Sequence, residues 1–528
     1  MTPFAAAAEP RIVNIYNFVW DNDYRLSNSR VVLFQATVQE VQLLKRAALP
    51  ATFALQYDAL MDTNYQNLFK TQTNFEVGAW WEIPQELAER AGLKWRGQHE
   101  WDSTANVGFS PGYTPGERRR LVDAYMADFR NIFGYYPRTV GSWYIDEVTM
   151  EYMTKKYGII ASCNCKDQIG TDGYTLWGGY WNQAYYPSRF NAYMPAQTRR
   201  NQIDVPIFRM LGSDPIYQYG NSAGMHTLEP VYQNGGGGSP DWVSWFFDNL
   251  IHQPAITFAY TQAGQENSFG WEAMKSGLTQ QVDLLSKLSR TGEVKVETLE
   301  QCGRWFHSRY PLTPPSAVVA LDDWKHENRK SVWYDSRFYR LNVLWQDGKF
   351  FIRDLHCFDE KMISPTHDTA LVTKSLAYET LPIMDCAVWS GNSPEGMWPV
   401  LLADDNTNSP LVPQGEPVVT ELNATELSIR QPLTDGGAFS VICREKTLIC
   451  VGVDGTGKPL PWAWNLAASP EQSSVVQNVN SKIIAYRFNN LQYRLRIAEG
   501  SGRQSGDGGL QLQPGNSGKM VLDLDVAK

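Results

Sequence analysis

The chain has 528 residues, of which 43% are hydrophobic and 20% charged, and its net charge is −9. This length is sufficient for two or three domains with cores of their own. The acidic balance, without any basic run, argues against a nucleic-acid partner, because phosphate binding needs clustered Lys and Arg. No run of about 18 apolar residues occurs, so the sequence predicts no membrane span.

The N-terminal segment, residues 1–11, is expected to be disordered. Its Ala run before Glu9 suits the remainder of a cleaved export signal slightly better than a natural cytoplasmic start, so we expect a periplasmic or secreted protein. The seven cysteines include no pair of C-x-x-C motifs, so a zinc site is not expected. The sequence does not decide whether Cys443 and Cys450 form a disulfide.

Short β-rich runs alternate with helical patterns over the first 290 residues. Helical spacing of apolar residues marks 38–48, 114–133 and 271–288. The predicted strands are Ile12–Val19, Ala51–Gln56, Phe75–Trp80, Thr139–Ile145, Ile159–Asn164, Val205–Leu211 and Ala255–Tyr260. Such alternation indicates parallel strands with crossover helices, and we predict an α/β barrel of seven or eight units, with an open sheet as the alternative.

The pattern of the sequence changes after residue 300. Pro311, Pro314 and Pro315 indicate a linker, and short β runs with few helical patterns follow to the end of the chain. We therefore predict a barrel over 12–300, a linker over 301–316 and an all-β, sandwich-like domain over 317–528.

Four segments resemble the polysaccharide deacetylases, whose superfamily includes glycosidases of families 57 and 38. They are Asn17–Asp23 (NFVWDND), Leu49–Gln56 (LPATFALQ), Glu76–Gln85 (EVGAWWEIPQ) and Gly141–Tyr157. The resemblance implies a deacetylase/glycosidase-like barrel. Deacetylases bind a divalent metal through an Asp and two His at H-x-x-x-H spacing, and Trp80 and Pro84 stand at the two His positions. We therefore expect no metal and no other cofactor.

Longer strings, among them YDALMD, GSWYID and FRMLGSDPIYQY, resemble glycoside hydrolase family 156, the inverting exo-sialidases. The resemblance implies metal-independent release of a terminal sialic or related ulosonic acid. The family's catalytic Asp corresponds to Asp23 or Asp21. The family's His near the fourth strand is missing, because Asp146, Glu147 and Val148 stand there, and the nearest His is His99.

Carboxylates follow most of the predicted strands, and strand ends converge at one mouth of a barrel. They are Asp21, Asp23, Asp58, Glu82, Asp146, Glu147, Asp167, Asp172, Asp214 and Glu266. Any one of them taken alone is more readily explained as a helix cap. Asp23 with Asp146 is the leading acid–base pair, with Asp21 as the alternate. Glu82 follows two Trp, which would raise its pKa, and His99 is either a base or a surface residue.

A sialic acid carboxylate would require an arginine. Arg189 and Arg209 are the candidates, although Arg209 would equally suit a pair with Asp214. Trp181 and Tyr185 would form a wall for the glycan or, alternatively, pack their loop onto the β domain. The remaining predicted contacts are Asn164, Lys166, Asp167, Asp214, Asn182 and Tyr57.

Two other functions remain open from the residues. One is a glycosidase acting on neutral sugars, and the other is an inactive barrel that binds glycans. In each case the partner is a glycan. Aromatic patches on the β domain, if exposed, would suit a homodimer.

Overall fold

The structure is a computed structural model that describes residues 9–165, 167, 176–220, 225–376, 380–389, 396–402, 408–466, 475–504 and 509–526. Lys166 and Asp172, which the sequence analysis named, lie outside these residues, as does most of the predicted disordered segment. Among the described residues, no helix is long and apolar enough to cross a membrane.

A nearly closed, mainly parallel sheet forms the first half of the chain. Its main path runs in the order β10-β1-β2-β3-β4-β5-β9-β6, and β11 pairs with β1. Only β6 runs antiparallel to its neighbour β9, while β7 and β8 form a separate ribbon. The strands are β1 (Arg11–Val19), β2 (Ala51–Leu55), β3 (Phe75–Trp80), β4 (Thr139–Gly141), β5 (Ala161–Asn164), β6 (Ala184–Tyr185), β7 (Pro187–Ser188), β8 (Asn191–Pro195), β9 (Ile207–Arg209), β10 (Ala259–Ala263) and β11 (Lys295–Glu297).

Helices return the chain between the parallel strands and cover the sheet. Thr114 and Glu117 close a capping box at the start of the long helix α6, as their spacing favours. The helices are α1 (Ser29–Ala47), α2 (Tyr57–Met61), α3 (Thr63–Lys70), α4 (Gln85–Arg90), α5 (Ala105–Gly108), α6 (Pro115–Phe133), α7 (Glu147–Tyr157), α8 (Pro240–His252), α9 (Trp271–Thr291) and α10 (Leu299–Arg309), with 3-10 turns at Ser110–Gly112 and Asn267–Phe269.

The first three strands agree with their predicted bounds to within one residue at each end. The predicted seventh strand, Ala255–Tyr260, begins four residues too early. Ile256 has a φ of 75°, and the Ala255 and Ile256 N–H groups donate to Glu421, so this stretch is a turn. The segment predicted as a linker contains most of α10, which packs against β5, and β11 was not predicted.

Antiparallel sheets form the second half of the chain, as the short β runs predict. Three sheets have the orders β12-β13-β14-β15-β16, β18-β17-β23-β28-β27 and β19-β20-β21-β22-β29-β26-β25-β24. The elements are β12 (Ser316–Ala320), β13 (Lys330–Asp335), β14 (Tyr339–Gln346), β15 (Lys349–Cys357), β16 (Leu381–Asp385), α11 (Cys386–Trp389), β17 (Trp398–Leu402), β18 (Asn408–Pro410), β19 (Val418–Asn423), β20 (Glu426–Pro432), β21 (Ala438–Cys443), β22 (Thr447–Val453), β23 (Trp462–Leu466), β24 (Val476–Val479), β25 (Ile483–Phe488), β26 (Leu491–Glu499), β27 (Ser501–Gln504), β28 (Leu510–Gln513) and β29 (Lys519–Asp523).

The two halves meet through buried aromatic and charged side chains. The Trp181 ring, on the long connection after β5, stacks on Trp333 of β13 with the centroids 4.2 Å apart. Arg340 of β14 pairs with Asp167 of the barrel and with Asp354 of β15. All seven cysteines are buried and free, so the disulfide between Cys443 and Cys450 is not formed.

Candidate active site at the barrel mouth

Aromatic side chains fill the interior of the barrel below its mouth. Phe18 of β1 and Trp80 of β3 point inward and stack with their centroids 4.2 Å apart and an angle of 13° between the planes. Trp143, just after β4, meets the Trp80 ring edge-on at 5.7 Å. These three rings form an apolar floor, and the residues that follow each strand stand above it.

Glu82 lies two residues beyond the end of β3 and is fully buried. The Trp101 indole N–H donates to its Oε2 at 3.1 Å, and the Gln56 amide N–H donates to the same oxygen. Its Oε1 has no hydrogen-bond partner. Burial raises the pKa of Glu82 to about 8, with smaller contributions from the charges of Glu266 and Asp58. The carboxyl group therefore holds a proton at neutral pH, which it can donate.

Glu266 lies just after β10, and its charge acts on Glu82. A parallel bridge between Phe18 and Glu266 fixes its backbone beside β1, and the Ser268 hydroxyl donates to its carboxylate. Its pKa is raised to about 7, mainly by burial and also by the charge of Glu229, while the Ser268 hydrogen bond and the charge of Arg25 act to lower it. A carboxyl group with this pKa can both take up and release a proton near neutral pH.

Asp23 occupies the edge of the same mouth and is buried. Arg25 holds it in a two-pronged ion pair, with Nε 2.9 Å from Oδ1 and Nη2 2.7 Å from Oδ2. The negative charge of Asp23 also contributes to the raised pKa of Glu266. Asp23 thus has both oxygens engaged by Arg25, while Glu82 keeps one oxygen free.

Asp21 and Asp58 form a second group of carboxyls on the same rim. Asp58 Oδ2 accepts the N–H groups of Asp21 at 3.1 Å and Asn22 at 2.9 Å. Burial raises the pKa of Asp58 to about 7 and that of Asp21 to about 6, although Arg30 lowers the latter. Asp21, Asp58, Glu82 and Glu266 are therefore four carboxyls at one mouth with raised pKa values, a pattern typical of acid–base sites.

Two connected cavities open onto this rim. The smaller one, of about 180 Å³, is lined by Asp58, Glu86 and Trp101 among others. The larger one is a groove of about 810 Å³ beside Tyr24 and His99. Both are lined by Asn22, Arg30, Gln85 and Glu100, so they form one continuous depression. The groove has the size of small-molecule and glycan sites.

Asp146, predicted as the partner of Asp23, is not available at the mouth. It caps α7, and its Oδ1 lies 2.9 Å from Arg118 Nη1. The Ser110 and Thr149 hydroxyls donate to Oδ2 at 2.5 and 2.7 Å. All of these groups are buried, so Asp146 is held in a structural ion pair and cannot form the predicted catalytic pair with Asp23.

His99 lies on the exposed rim of the groove. Its ring stacks on that of Tyr24, with the centroids 3.9 Å apart. It contacts none of the buried carboxyls described above through a hydrogen bond within the described part of the chain. A role for His99 in contacting a ligand in the groove fits this position better than a role as a base.

The arginines predicted to bind a substrate carboxylate are engaged elsewhere. Arg209 is fully buried and pairs with Asp167 at 2.7 Å rather than with Asp214. Arg189 Nη2 lies 3.2 Å from Glu151 on the outer side of α7. Asp214 accepts the indole N–H groups of Trp242 and Trp324 and two backbone N–H groups, so it is a structural acceptor.

The remaining predicted contacts are also buried in packing. Tyr185 donates its hydroxyl to the Ala192 carbonyl at 2.8 Å, and Asn164 lies 3.4 Å from that hydroxyl. Tyr57 donates to Asp128 at 2.8 Å, away from the mouth. Asn182 donates to the Ser213 carbonyl. These contacts lie within the barrel half, and the stack of Trp181 on Trp333 packs the long connection onto the β-rich half.

Sequence reasoning missed Gln56 and Trp101, which hold Glu82 in place. Gln56 directly follows β2, so its position at a strand end was the available signal. Trp101 lies in an irregular loop after α4, and no periodic pattern marks it. Glu266 was among the acids after the strands but was not singled out.

The residues at the deacetylase metal positions do not fit a metal ion. Trp80 offers no ligand atom and is stacked on Phe18, and Pro84 stands at the N-terminus of α4. Within the described residues, one further group of potential ligands is Asp354, His356 and Asp385. Arg340 already holds both oxygens of Asp354, at 2.9 and 2.8 Å, so this group is a buried ion-pair network.

No protein-family model matches the chain, and no curated protein matches it. Solved structures are similar in fold. One, from Parabacteroides distasonis, is assigned provisionally to the glycoside hydrolases or deacetylases; it has 15% identity and a TM-score of 0.50 over 71% of this chain and 90% of that one. Polysaccharide deacetylases, so named provisionally, from Mycobacterium smegmatis (8% identity, 59% and 96% coverage) and Pseudomonas aeruginosa (12% identity, 58% and 93% coverage) have TM-scores of 0.37.

The similar structure from Parabacteroides distasonis is named a glycoside hydrolase/deacetylase and is not named a sialidase. The predicted membership of the inverting sialidase family and the predicted sialidase activity are therefore wrong. The geometry agrees, because Arg189 and Arg209 are already paired with carboxylates. The structure from Parabacteroides distasonis shares the fold of the chain, a nearly closed, mainly parallel barrel-like sheet covered by helices.

Proposed function

We propose that the protein is a carbohydrate-active hydrolase that removes an acyl group from a glycan by acid–base catalysis of carboxyl groups at the barrel mouth. The observation that carries this proposal is Glu82. It is fully buried, held by Trp101 and Gln56, keeps one free oxygen, and has a pKa of about 8.

Hydrolysis of an acyl bond needs a base for the attacking water and an acid for the leaving group. Glu266, with its pKa of about 7, takes a proton from water as the water oxygen bonds to the acyl carbon. Glu82 donates its proton to the sugar oxygen or nitrogen as the acyl bond breaks. The two groups then exchange a proton with solvent and return to their starting states.

Trp20 supports an acyl group rather than a glycosidic bond as the target. Its indole N–H is buried and has no hydrogen-bond partner, and its ring lies 4.8 Å from that of Trp101. Acyl hydrolysis develops negative charge on the carbonyl oxygen, which such a donor stabilises. Glycosidic cleavage develops positive charge on the sugar ring, which an N–H donor does not stabilise.

The name of the similar structure from Parabacteroides distasonis supports a carbohydrate substrate for this chain. The residues at the deacetylase metal positions do not support a metal-assisted step, because Trp80 and Pro84 have no ligand atoms. The proposed chemistry therefore uses only side chains that the barrel mouth itself presents.

The test is acetate release from acetylated xylan, N-acetylglucosamine oligomers and peptidoglycan fragments, with and without a chelator. We expect release that survives chelation and falls at least about 100-fold in Glu82→Gln. Glu272→Gln, whose side chain is 80% exposed on α9, is the matched control and should keep its rate. No acetate release, unchanged release in Glu82→Gln, or release of new reducing ends without acetate would refute the proposal.

A further inference from the structure

A series of aromatic rings leads from the buried acid to the surface. Trp101, which donates to Glu82, lies 4.8 Å from Trp20 on its inner side and 6.4 Å from Tyr24 on its outer side. Tyr24 in turn stacks on His99 at 3.9 Å, with an angle of 11° between the rings. The series therefore runs without a break from the proposed catalytic carboxyl to the open groove.

Tyr24 is 47% exposed and His99 is exposed as well, whereas Trp20 and Trp101 are buried. Tyr24 lines the groove of about 810 Å³, together with His99 and the half-buried Trp95. The Trp95 indole N–H donates to the His99 carbonyl at 2.9 Å, which fixes the loop that carries the imidazole. The rings thus form a partly exposed surface whose position is fixed by packing and by this hydrogen bond.

Polar side chains border the same rings. Asn22, Gln85, Gln98 and Arg30 line the groove, and Asn22 donates to Glu100 at its junction with the smaller cavity. Amide and guanidinium groups are suited to sugar hydroxyls, because they donate in fixed directions. An apolar ring face next to such groups matches a pyranose, which has an apolar C–H face and a polar rim.

We propose that the groove beside Tyr24 and His99 is a binding subsite for a neighbouring pyranose unit of the substrate, so that the protein acts on a glycan chain of several units rather than on a single sugar. This inference rests on the proposed function for the position of the reacting unit at Glu82. The aromatic series sets the direction in which the chain leaves the mouth.

The experiment measures the affinity of N-acetylglucosamine and xylose oligomers of one to six units, by titration calorimetry and by retardation in gels that contain the corresponding polysaccharide. The variants are Tyr24→Ala and the matched control Tyr135→Ala. Tyr135 is also 47% exposed but precedes β4, at the opposite end of the barrel. Binding is measured separately from acetate release, so a failure of the proposed reaction does not hide the outcome.

We expect the affinity of the wild-type protein to rise with oligomer length and Tyr24→Ala to lose about tenfold for the longer oligomers, which is about 1.4 kcal/mol. Single sugars should bind equally to both, and Tyr135→Ala should behave as wild type. Binding that does not depend on length, equal binding of the long oligomers by Tyr24→Ala and wild type, or no binding of any oligomer by the wild type would overturn the proposal.

Discussion

The substitution Glu82→Gln should make the protein more stable at high pH while it removes activity. Glu82 is fully buried, and its pKa lies at about 8 instead of the ordinary 4.5, because burial penalises the charged form. The folded protein therefore binds this proton more tightly than the unfolded chain. Stability is lost as the pH rises from about 4.5 to about 8, because the ionised carboxylate of the unfolded chain must then either take up a proton on folding or be buried with its charge.

The size of the effect follows from the same two values. The difference between 4.5 and about 8 corresponds to a loss of about 5 kcal/mol at pH 9 and of about 3 kcal/mol at pH 7. Glutamine has nearly the same shape and no charge, so it can still accept from Trp101 and Gln56. Near pH 5 the two proteins should be about equally stable, because the wild-type carboxyl is then protonated.

The assay is urea unfolding at pH 5, 7 and 9, followed by tryptophan fluorescence. Because the chain has more than one core, the midpoint of the barrel transition is compared rather than a single free energy of unfolding. Glu272→Gln is the control and should differ from wild type by no more than about 0.5 kcal/mol at any pH. If the difference in unfolding midpoint between Glu82→Gln and wild type does not increase with pH, the reasoning about the burial of Glu82 is refuted.

Two further substitutions test structural roles assigned above, and a third tests the contact of His367 with the buried Glu147, in which Nδ1 lies 2.9 Å from Oε1. Asp146→Asn should destabilise the protein by about 3–5 kcal/mol in thermal unfolding, because Arg118 would be left buried without its partner; a fully stable variant would contradict the ion pair. Trp181→Ala should lower the free energy of unfolding by about 3–5 kcal/mol, because the stack on Trp333 is lost, while the folded fraction keeps its activity. A loss of activity at unchanged stability would indicate instead that Trp181 contacts the substrate. His367→Gln should lower stability at pH 6 but not at pH 9, in urea unfolding at both values. Its hydrogen bond with Glu147 raises the pKa of His367 above the ordinary 6.5, so the stabilisation is complete below 6.5 and disappears as the pH rises through the higher value. An equal loss at both values would exclude the pH-dependent pair.

Local patterns were sufficient for much of the fold. The alternation of apolar strands with helical spacing gave β1, β2 and β3 almost to the residue, and the Thr114 and Glu117 pair marked the start of α6. These features depend on neighbours within one turn or one strand, so they are readable along the chain. The seventh strand was misplaced because Glu421, far away in sequence, holds the Ala255 and Ile256 N–H groups in a turn.

The sequence by itself determined which acids follow the strands, and therefore which carboxyls can reach the mouth. Only the tertiary structure decided which of these carboxyls are not held in ion pairs. Asp146 meets Arg118, and Asp167 meets Arg209 and Arg340, through contacts that no spacing along the chain reveals. Glu82 instead is fully buried and its hydrogen-bond donors are neutral. A carboxyl group acquires its role from the charges and the solvent around it, and these are set by packing between segments distant in sequence.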